Sequence, residues 1–319
     1  MDNENDQNKP QVLQYSVILP VYNEESCLVD VLTRLENALT GTGTSYEVLC
    51  VDDGSTDSSW SIVERFYGRN TAFKGIKFQR NFGHQLAVYA GIKLSKGNYV
   101  AVLDADGQDP PELLPQLFKK CEEGYDVVYA VRKKRKENCL KRLGYHLFYR
   151  FYQSIVPFKT PLDAGDFSVF SRGVADFIKS RTEKNPFIRG LRSWHGGKQC
   201  GFEYERQSRV LGKSKYTYLK LFFLAINASI SFSKAPLRVV STFGIVMAFL
   251  AMSAGIVIIA LKIVKGINPS GWASIAVMIV FFSGINFFIL GVIGEYIGHI
   301  FDEVKNRPPF LIERTLGVQ

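Results

Sequence analysis

Cysteine is scarce, and what there is resists pairing. Five cysteines (Cys27, Cys50, Cys121, Cys139, Cys200) are spread over 319 residues. Their odd number and wide spacing argue against a disulfide framework or a zinc cluster and fit reduced thiols. Histidine is rarer still, and His146, His195 and His299 lack metal-ligand spacing. No G-x-G-x-x-G follows the first apolar run, which weakens a dinucleotide-binding reading. Ser55 and Cys50 have no triad partners nearby, so hydrolase chemistry has no support. No apolar leader is seen at the start, MDNENDQNKPQ; it is polar and acidic, and residues 1–13 are expected to form a disordered tail.

Charge is missing from one long region only. Between Val239 and Gly298 the charged side chains are Lys262, Lys265 and Glu295. The runs at 239–261 and 272–298 are each long enough to cross a hydrocarbon core of roughly 30 Å. Gly266, Pro269 and Gly271 between them suit a tight reversal. A two-helix transmembrane hairpin over 236–299 is expected; the alternative is a pair of buried helices in a soluble core. Lys234, Arg238, Lys305, Arg307 and Arg314 flank the outer ends, against Lys262 and Lys265 in the turn. That bias puts the first part of the chain and a tail at 300–319 on the cytoplasmic side of an inner or plasma membrane. The net charge is +9 and the pI about 9.2. With no nucleic-acid-binding motif, anionic lipid and phosphate groups account for the basicity. The run Arg132 to Lys136 is read as a solvated face or a phosphate contact.

Before the apolar region, short apolar runs alternate with helical patterns. Strands are expected at Tyr15–Pro20, Tyr46–Val51, Gly75–Phe78, Tyr99–Leu103 and Asp126–Val131. Helices are expected at Glu24–Leu39, Ser58–Tyr67 and Gln85–Leu94. The alternation predicts an α/β domain over 14–213 with a mostly parallel sheet flanked by helices. Ligands of such sheets gather beyond the carboxyl ends of the strands, where the acidic clusters fall.

Asp52, Asp53, Ser55 and Asp57 follow the second strand. Capping of the next helix explains Ser55 and Asp57. For Asp52 and Asp53, capping and ligand binding are both open. The sharper cluster is Asp104-Ala105-Asp106-Gly107-Gln108-Asp109-Pro110-Pro111-Glu112. Two carboxylates two apart at the end of a buried strand repel each other, and a divalent cation shared with a diphosphate relieves that. Asp104 and Asp106 are therefore metal candidates, for Mg²⁺ or Mn²⁺. Asp109 and Glu112 also read as an acidic turn before a helix.

PVYNEE (Pro20 to Glu25), VDDGSTD (Val51 to Asp57), RNFGHQ (Arg80 to Gln85) and DADGQDPPE (Asp104 to Glu112) resemble glycosyltransferase family 2. Within it they are similar to polyprenyl-phosphate glycosyltransferases, the bactoprenol glucosyltransferases and dolichol-phosphate mannose synthase. The similarity continues through DAGDFSVFSR (163–172), NPFIRGLRSWHGGK (185–198) and RVLGKSKY (209–216) into the apolar region. The resemblance implies a GT-A-type, Rossmann-like fold and transfer of one hexose from a UDP-sugar, best UDP-glucose, to a polyprenyl phosphate with inversion. It implies that Pro20, Tyr22, Glu24, Asp52, Asp53, Arg80, Asp104 and Ala105 hold the nucleotide-sugar. Asp104, Asp106 and Gln108 hold the metal and diphosphate, and Asp166 is the catalytic base, with Asp163 a nearby competitor. Arg209, Ser214 and Lys215, with Arg132 and Arg135, are the phosphate-binding set. His84 stands where relatives often carry lysine, and Ser168 where they often carry arginine.

A lipid phosphate monoester has a second pKa near 6 and is already largely ionised at neutral pH. Asp166 is thus read as orienting the nucleophile or taking a residual proton. Leu219, Phe222, Phe223, Ile226 and Ile230 share one helical face, so 214–235 reads as a juxtamembrane helix in the headgroup layer or as a core-facing helix. Gly294 and Gly298 permit close helix contact and a homo-oligomer, a tetramer included. A processive synthase and a silent nucleotide-sugar-binding scaffold are the alternatives. The Q-x-x-R-W motif usual in the former is absent.

Overall fold

The computed structural model describes residues 13–132, 164–184, 186–204, 235–265 and 271–318. Residues 1–12 of the expected tail and 214–234 of the expected juxtamembrane stretch lie outside them. The chain divides into two compact units: residues 1–150, 158–215 and 308–319, and residues 151–157 and 216–307.

The first unit is built on β1 (Tyr15–Val21), β2 (Tyr46–Asp52), β3 (Phe73–Phe78) and β4 (Tyr99–Val102), with helices α1 (Glu25–Thr40), α2 (Ser59–Arg69), α3 (His84–Leu94) and α4 (Leu114–Glu122) following in turn. Then come β5 (Val127–Arg132), β6 (Ala164–Ser171), α5 (Arg172–Lys179), α6 (Ile188–His195) and β7 (Gln199–Tyr204). The second unit holds α7 (Ala235–Lys265) and α8 (Trp272–Val304); β8 (Ile312–Leu316) belongs to the first. One eight-stranded sheet runs β7-β5-β6-β4-β1-β2-β3-β8.

Strands β1 to β4 pair in parallel, as the alternation of strands and helices predicts. Among the described strands the sheet is mixed, with four of its seven pairings parallel, β5 with β7 included. Strand β6 enters antiparallel between β4 and β5, and β8 closes the far edge antiparallel to β3. The apolar pattern does not disclose this, because β6 (AGDFSVFS) carries polar residues and β8 (IERTL) reads as a charged tail. What makes β8 a strand is its edge position, where its polar groups need no burial. Lys77 and Glu313 pair at 3.2 Å, and Arg314 and Glu64 at 3.3 Å. Phe310 stacks on Phe78 with centroids 5.0 Å apart.

Both sheet faces are covered. Val17, Leu19 and Val21 join Leu28, Val31, Leu32, Leu35 and Leu39 of α1 in one core, the last five recurring at helical spacing. Leu32→Ala there is expected to cost about 2–5 kcal/mol. Ile18 points to the opposite face, where a Cβ on Gly91 of α3 would stand 2.3 Å from its Cγ2. Glycine at 91 thus lets α3 lie close on β1, and the helix begins just beyond the strand ends.

In the second unit, α7 and α8 encompass the runs expected at 239–261 and 272–298. Among the described residues, one segment, Val277–Gly298, has the length and mean hydropathy (2.3) to cross a membrane. Large apolar side chains lie open on both helices, Ile263 and Phe287 among them.

Candidate active site

The sheet register assembles the site. Val102 of β4 pairs with Ser168 of antiparallel β6. Continuing that register two residues sets Asp104, past the end of β4, against Asp166. Two carboxylates 62 positions apart in sequence thereby meet at the end of two central strands.

Helix α3 adds a third group through the acidic turn after β2. The Asp53 carboxylate accepts the Phe82 N–H at 2.7 Å and the Gly83 N–H at 2.9 Å. It therefore fixes the loop that starts α3. Gly54 lets the two loops touch: a Cβ there would sit 2.5 Å from the Arg80 carbonyl carbon, and its φ of +71° suits glycine. His84, the first residue of α3, then places Nε2 3.6 Å from Asp104 Oδ1 and 3.4 Å from Asp166 Oδ2. Ligand atoms of His84, Asp104 and Asp166 all lie within 4.8 Å of one another.

The two carboxylates differ sharply. Asp104 Oδ1 is buried with no hydrogen-bond partner. Burial raises its pKa to about 6, against the opposing pull of His84. Asp166 is also buried, which by itself would raise it. Arg189 overrides that by its charge and by a bidentate bond, Nε to Oδ1 and Nη2 to Oδ2, both 2.7 Å. Asp166 is held well below the usual carboxylate range. Burial disfavours charge on His84, but the hydrogen bond to Asp166 and the charge of Asp104 outweigh it and lift the imidazole to about 8. Arg192, one turn beyond Arg189 on α6, is buried and donates to Ser168 Oγ and to the Gly165 carbonyl. A guanidinium thus stands at Ser168 after all, delivered from a helix instead of the strand.

The remaining expected residues fall into three groups. Pro20 lies inside β1 and Ala105 is buried, its carbonyl accepting from Cys27 Sγ at 3.2 Å. Tyr22 and Arg80 are exposed near the strand ends, with Arg80 4.4 Å over the Phe82 ring, and the Glu24 N–H donates to Ser59 Oγ at 3.0 Å. Asp52 Oδ1 accepts the Ser55 N–H, while its buried Oδ2 has no hydrogen-bond partner. Asp106 Oδ1 accepts the Gln108 N–H at 3.1 Å, so this turn is held by its own side chain. Arg132 ends β5 beside Tyr204. Asp163, Arg135, Arg209, Ser214 and Lys215 lie outside the described residues.

Several acidic residues prove structural. Asp57 accepts the Ser59 N–H at 2.9 Å and the Glu25 N–H at 3.2 Å, serving the starts of α2 and α1 together. Ser55 does not cap α2; its Oγ accepts the Asn23 N–H. Glu112 forms a fork with Arg34 at 2.7 and 2.9 Å, and Asp109 is buried against the Tyr204 hydroxyl. Sequence reasoning missed Arg189 as a site residue. Its signal lay in the stretch from Asn185 to Lys198, quoted for its resemblance but given no role.

The strand ends and antiparallel β6 thus gather carboxylates beside a guanidinium and an imidazole on a GT-A-like mixed sheet flanked by helices. Residues 16–178 match the family described as glycosyl transferase family 2. An uncharacterized glycosyltransferase, YkcC, of Bacillus subtilis is 42% identical over 96% of this chain and 95% of its own. A prophage-derived bactoprenol glucosyl transferase of Shigella flexneri is 35% identical over 95% of this chain and 98% of its own. An undecaprenyl-phosphate 4-deoxy-4-formamido-L-arabinose transferase of Klebsiella pneumoniae is 32% identical, covering 96% and 95%. The chain belongs to glycosyl transferase family 2 and is a glycosyltransferase.

Proposed function

We propose that the enzyme transfers a single hexose from a UDP-sugar, best UDP-glucose, to a polyprenyl phosphate of the undecaprenyl type. The observation that carries this reading is Asp104, whose buried Oδ1 accepts no hydrogen bond, facing an Asp166 that Arg189 keeps ionised. The acceptor class is supported by relatives named for bactoprenol and undecaprenyl phosphate, similar along nearly the whole chain.

Asp104 and Asp106, with Gln108 beside them, are the residues that would hold Mg²⁺ or Mn²⁺. A buried acceptor without a donor fits a cation, and Asp52 Oδ2 nearby in the sheet fits a donated N–H or hydroxyl of the nucleoside. When bound, the cation neutralises charge on the departing nucleotide diphosphate. The chain's own groups do the rest. Asp53 holds the loop that carries His84, and His84 tempers the repulsion between Asp104 and Asp166. Asp166 is a poor base while Arg189 grips it. It orients the nucleophile, an already ionised phosphate oxygen that attacks the anomeric carbon in line and inverts it. Arg132, Arg135, Arg209, Ser214 and Lys215 are proposed to bind phosphate groups. The helices α7 and α8 form a two-helix membrane hairpin in this reading, with the catalytic unit in the cytoplasm and 214–235 in the headgroup layer.

Membranes carrying the protein, given labelled UDP-glucose, Mg²⁺ and undecaprenyl phosphate, should form one labelled glycolipid, and Asp106→Ala should abolish it. No labelled lipid with any common UDP-sugar, or an unchanged yield from Asp106→Ala, contradicts the proposal.

A further inference from the structure

Arg189 has a place in the site that the sequence did not assign. It sits in the first turn of α6, where the Ile188 N–H donates to Gln85 Oε1 of α3 at 3.1 Å. The start of α6 is therefore tied to the start of α3, the element that carries His84. The guanidinium approaches Asp166 edge on, using Nε and Nη2 against two carboxylate oxygens. That fork fixes the plane and direction of the whole group. Asp166 is almost fully buried, with its side chain 7% exposed, whereas the Arg189 side chain is 40% exposed. Asp166 is the buried partner of the pair and Arg189 the more exposed one. Arg192 closes the inner side by bonding the Gly165 carbonyl and Ser168 Oγ, which leaves β6 little freedom around Asp166.

We propose that Asp166 aims Arg189 at the acceptor, so that the solvent-facing side of this guanidinium binds the phosphate monoester whose oxygen attacks the sugar. The guanidinium suits that role because it is planar, permanently charged and already oriented, so little side-chain entropy is lost on binding. It also puts the attacking phosphate beside Asp166 and His84, in the same corner of the sheet as Asp104. The inference rests on the lipid-phosphate reading above, and it reverses the usual weight of the pair. Asp166 is the positioning residue and Arg189 the group that touches substrate.

The test is steady-state kinetics on the full-length protein in detergent, with undecaprenyl phosphate and UDP-glucose varied separately, for wild type, Arg189→Lys and Arg189→Met. UDP affinity measured by calorimetry reports an intact nucleotide site, and Arg189→Lys, which keeps the charge, guards against a folding defect in Arg189→Met. Arg189→Met should raise KM for undecaprenyl phosphate about tenfold or more, Arg189→Lys by less, with KM for UDP-glucose and the Kd for UDP within about twofold of wild type. Inorganic phosphate, lacking the lipid, should inhibit wild type competitively against undecaprenyl phosphate and Arg189→Met more weakly. An acceptor KM unchanged in both variants overturns the proposal. So does a weakened UDP affinity with an unchanged acceptor KM, which would assign Arg189 to the donor. Wild type inactive with every UDP-sugar tried would instead remove the lipid-phosphate reading on which the proposal rests.

Discussion

Two acidic turns at the ends of parallel strands look alike in sequence, and in each the carboxylates divide between backbone N–H groups and a buried oxygen that accepts no hydrogen bond, Asp52 Oδ2 in one and Asp104 Oδ1 in the other. After β2, Asp53 and Asp57 spend their oxygens on backbone N–H groups of Phe82, Gly83, Ser59 and Glu25. They hold loops and helix starts in place. After β4, Asp104 keeps a buried oxygen without a donor, and its neighbour across the register, Asp166, is met by side-chain cations. A carboxylate consumed by the backbone builds the scaffold, whereas one left to side chains is available for chemistry. The difference lies in which groups reach each carboxylate, N–H groups before α3 for Asp53, those starting α1 and α2 for Asp57, and side chains of α3 and α6 for Asp104 and Asp166, not in the acidic residues themselves.

The largest effect that would sharpen this contrast belongs to Asp104→Ala. It should lower kcat/KM by about 10³-fold or more, because transition-state charge loses its counter-charge, while far-UV circular dichroism stays unchanged. Loss of helical signal together with activity would place Asp104 in the scaffold class. The same carboxylate makes a second, less intuitive prediction. Its folded pKa of about 6 lies above the ordinary 3.8, so the native state binds this proton more tightly than the unfolded chain. Stability therefore falls as pH rises from about 4 to 6, and the full penalty persists above. Asp104→Asn removes it and should stabilise the metal-free protein by about 1–3 kcal/mol at pH 7.5, with the gain vanishing near pH 4, as followed by denaturant melts. Destabilisation at pH 7.5 would show that the charge is welcome where it stands.

The turn after β2 should respond the other way. Asp53→Ala leaves the Phe82 and Gly83 N–H groups without their acceptor and should cost about 1–3 kcal/mol in a denaturant melt. Activity should fall as well, since His84 follows that loop. The smallest effect is expected at Glu112, whose side chain is about half exposed where it pairs with Arg34. Glu112→Ala should cost no more than about 1 kcal/mol and leave kcat/KM within twofold. A large catalytic loss there would break the distinction between the two halves of the DADGQDPPE segment.

Much of the parallel half was legible because buried parallel strands write themselves as apolar runs. YSVILP and YEVLCV need both faces covered, and their lengths fix the strand ends to within a residue of β1 and β2. Asp104 was legible for the same reason, as the first charge after such a run. The antiparallel half was not. Strand β6 interrupts its apolar residues with Gly165, Asp166 and Ser168, and its neighbour is chosen by register rather than pattern. Strand β8 follows an apolar region and looks like an exposed tail, yet pairs with β3. The choice between scaffold and ligand roles for Asp52 and Asp53 could not be read locally either, because the donors that occupy Asp53 arrive from residues 82 and 83. Arg189 was hidden in a similar way: it is one of several basic residues in its stretch, and only the packing of α6 on β6 makes it the partner of Asp166 and the more exposed of the two, with Arg192 buried.

Mn²⁺ binding in the presence of UDP, followed by electron paramagnetic resonance on purified protein, probes the reacting centre most directly. Wild type should bind one Mn²⁺ per chain with affinity that weakens as pH falls through about 6, where Asp104 takes up its proton. Asp104→Asn should lose that binding while Glu112→Ala keeps it. Equal Mn²⁺ affinity in wild type and Asp104→Asn would contradict the assignment of this corner of the sheet as the place where the sugar is transferred.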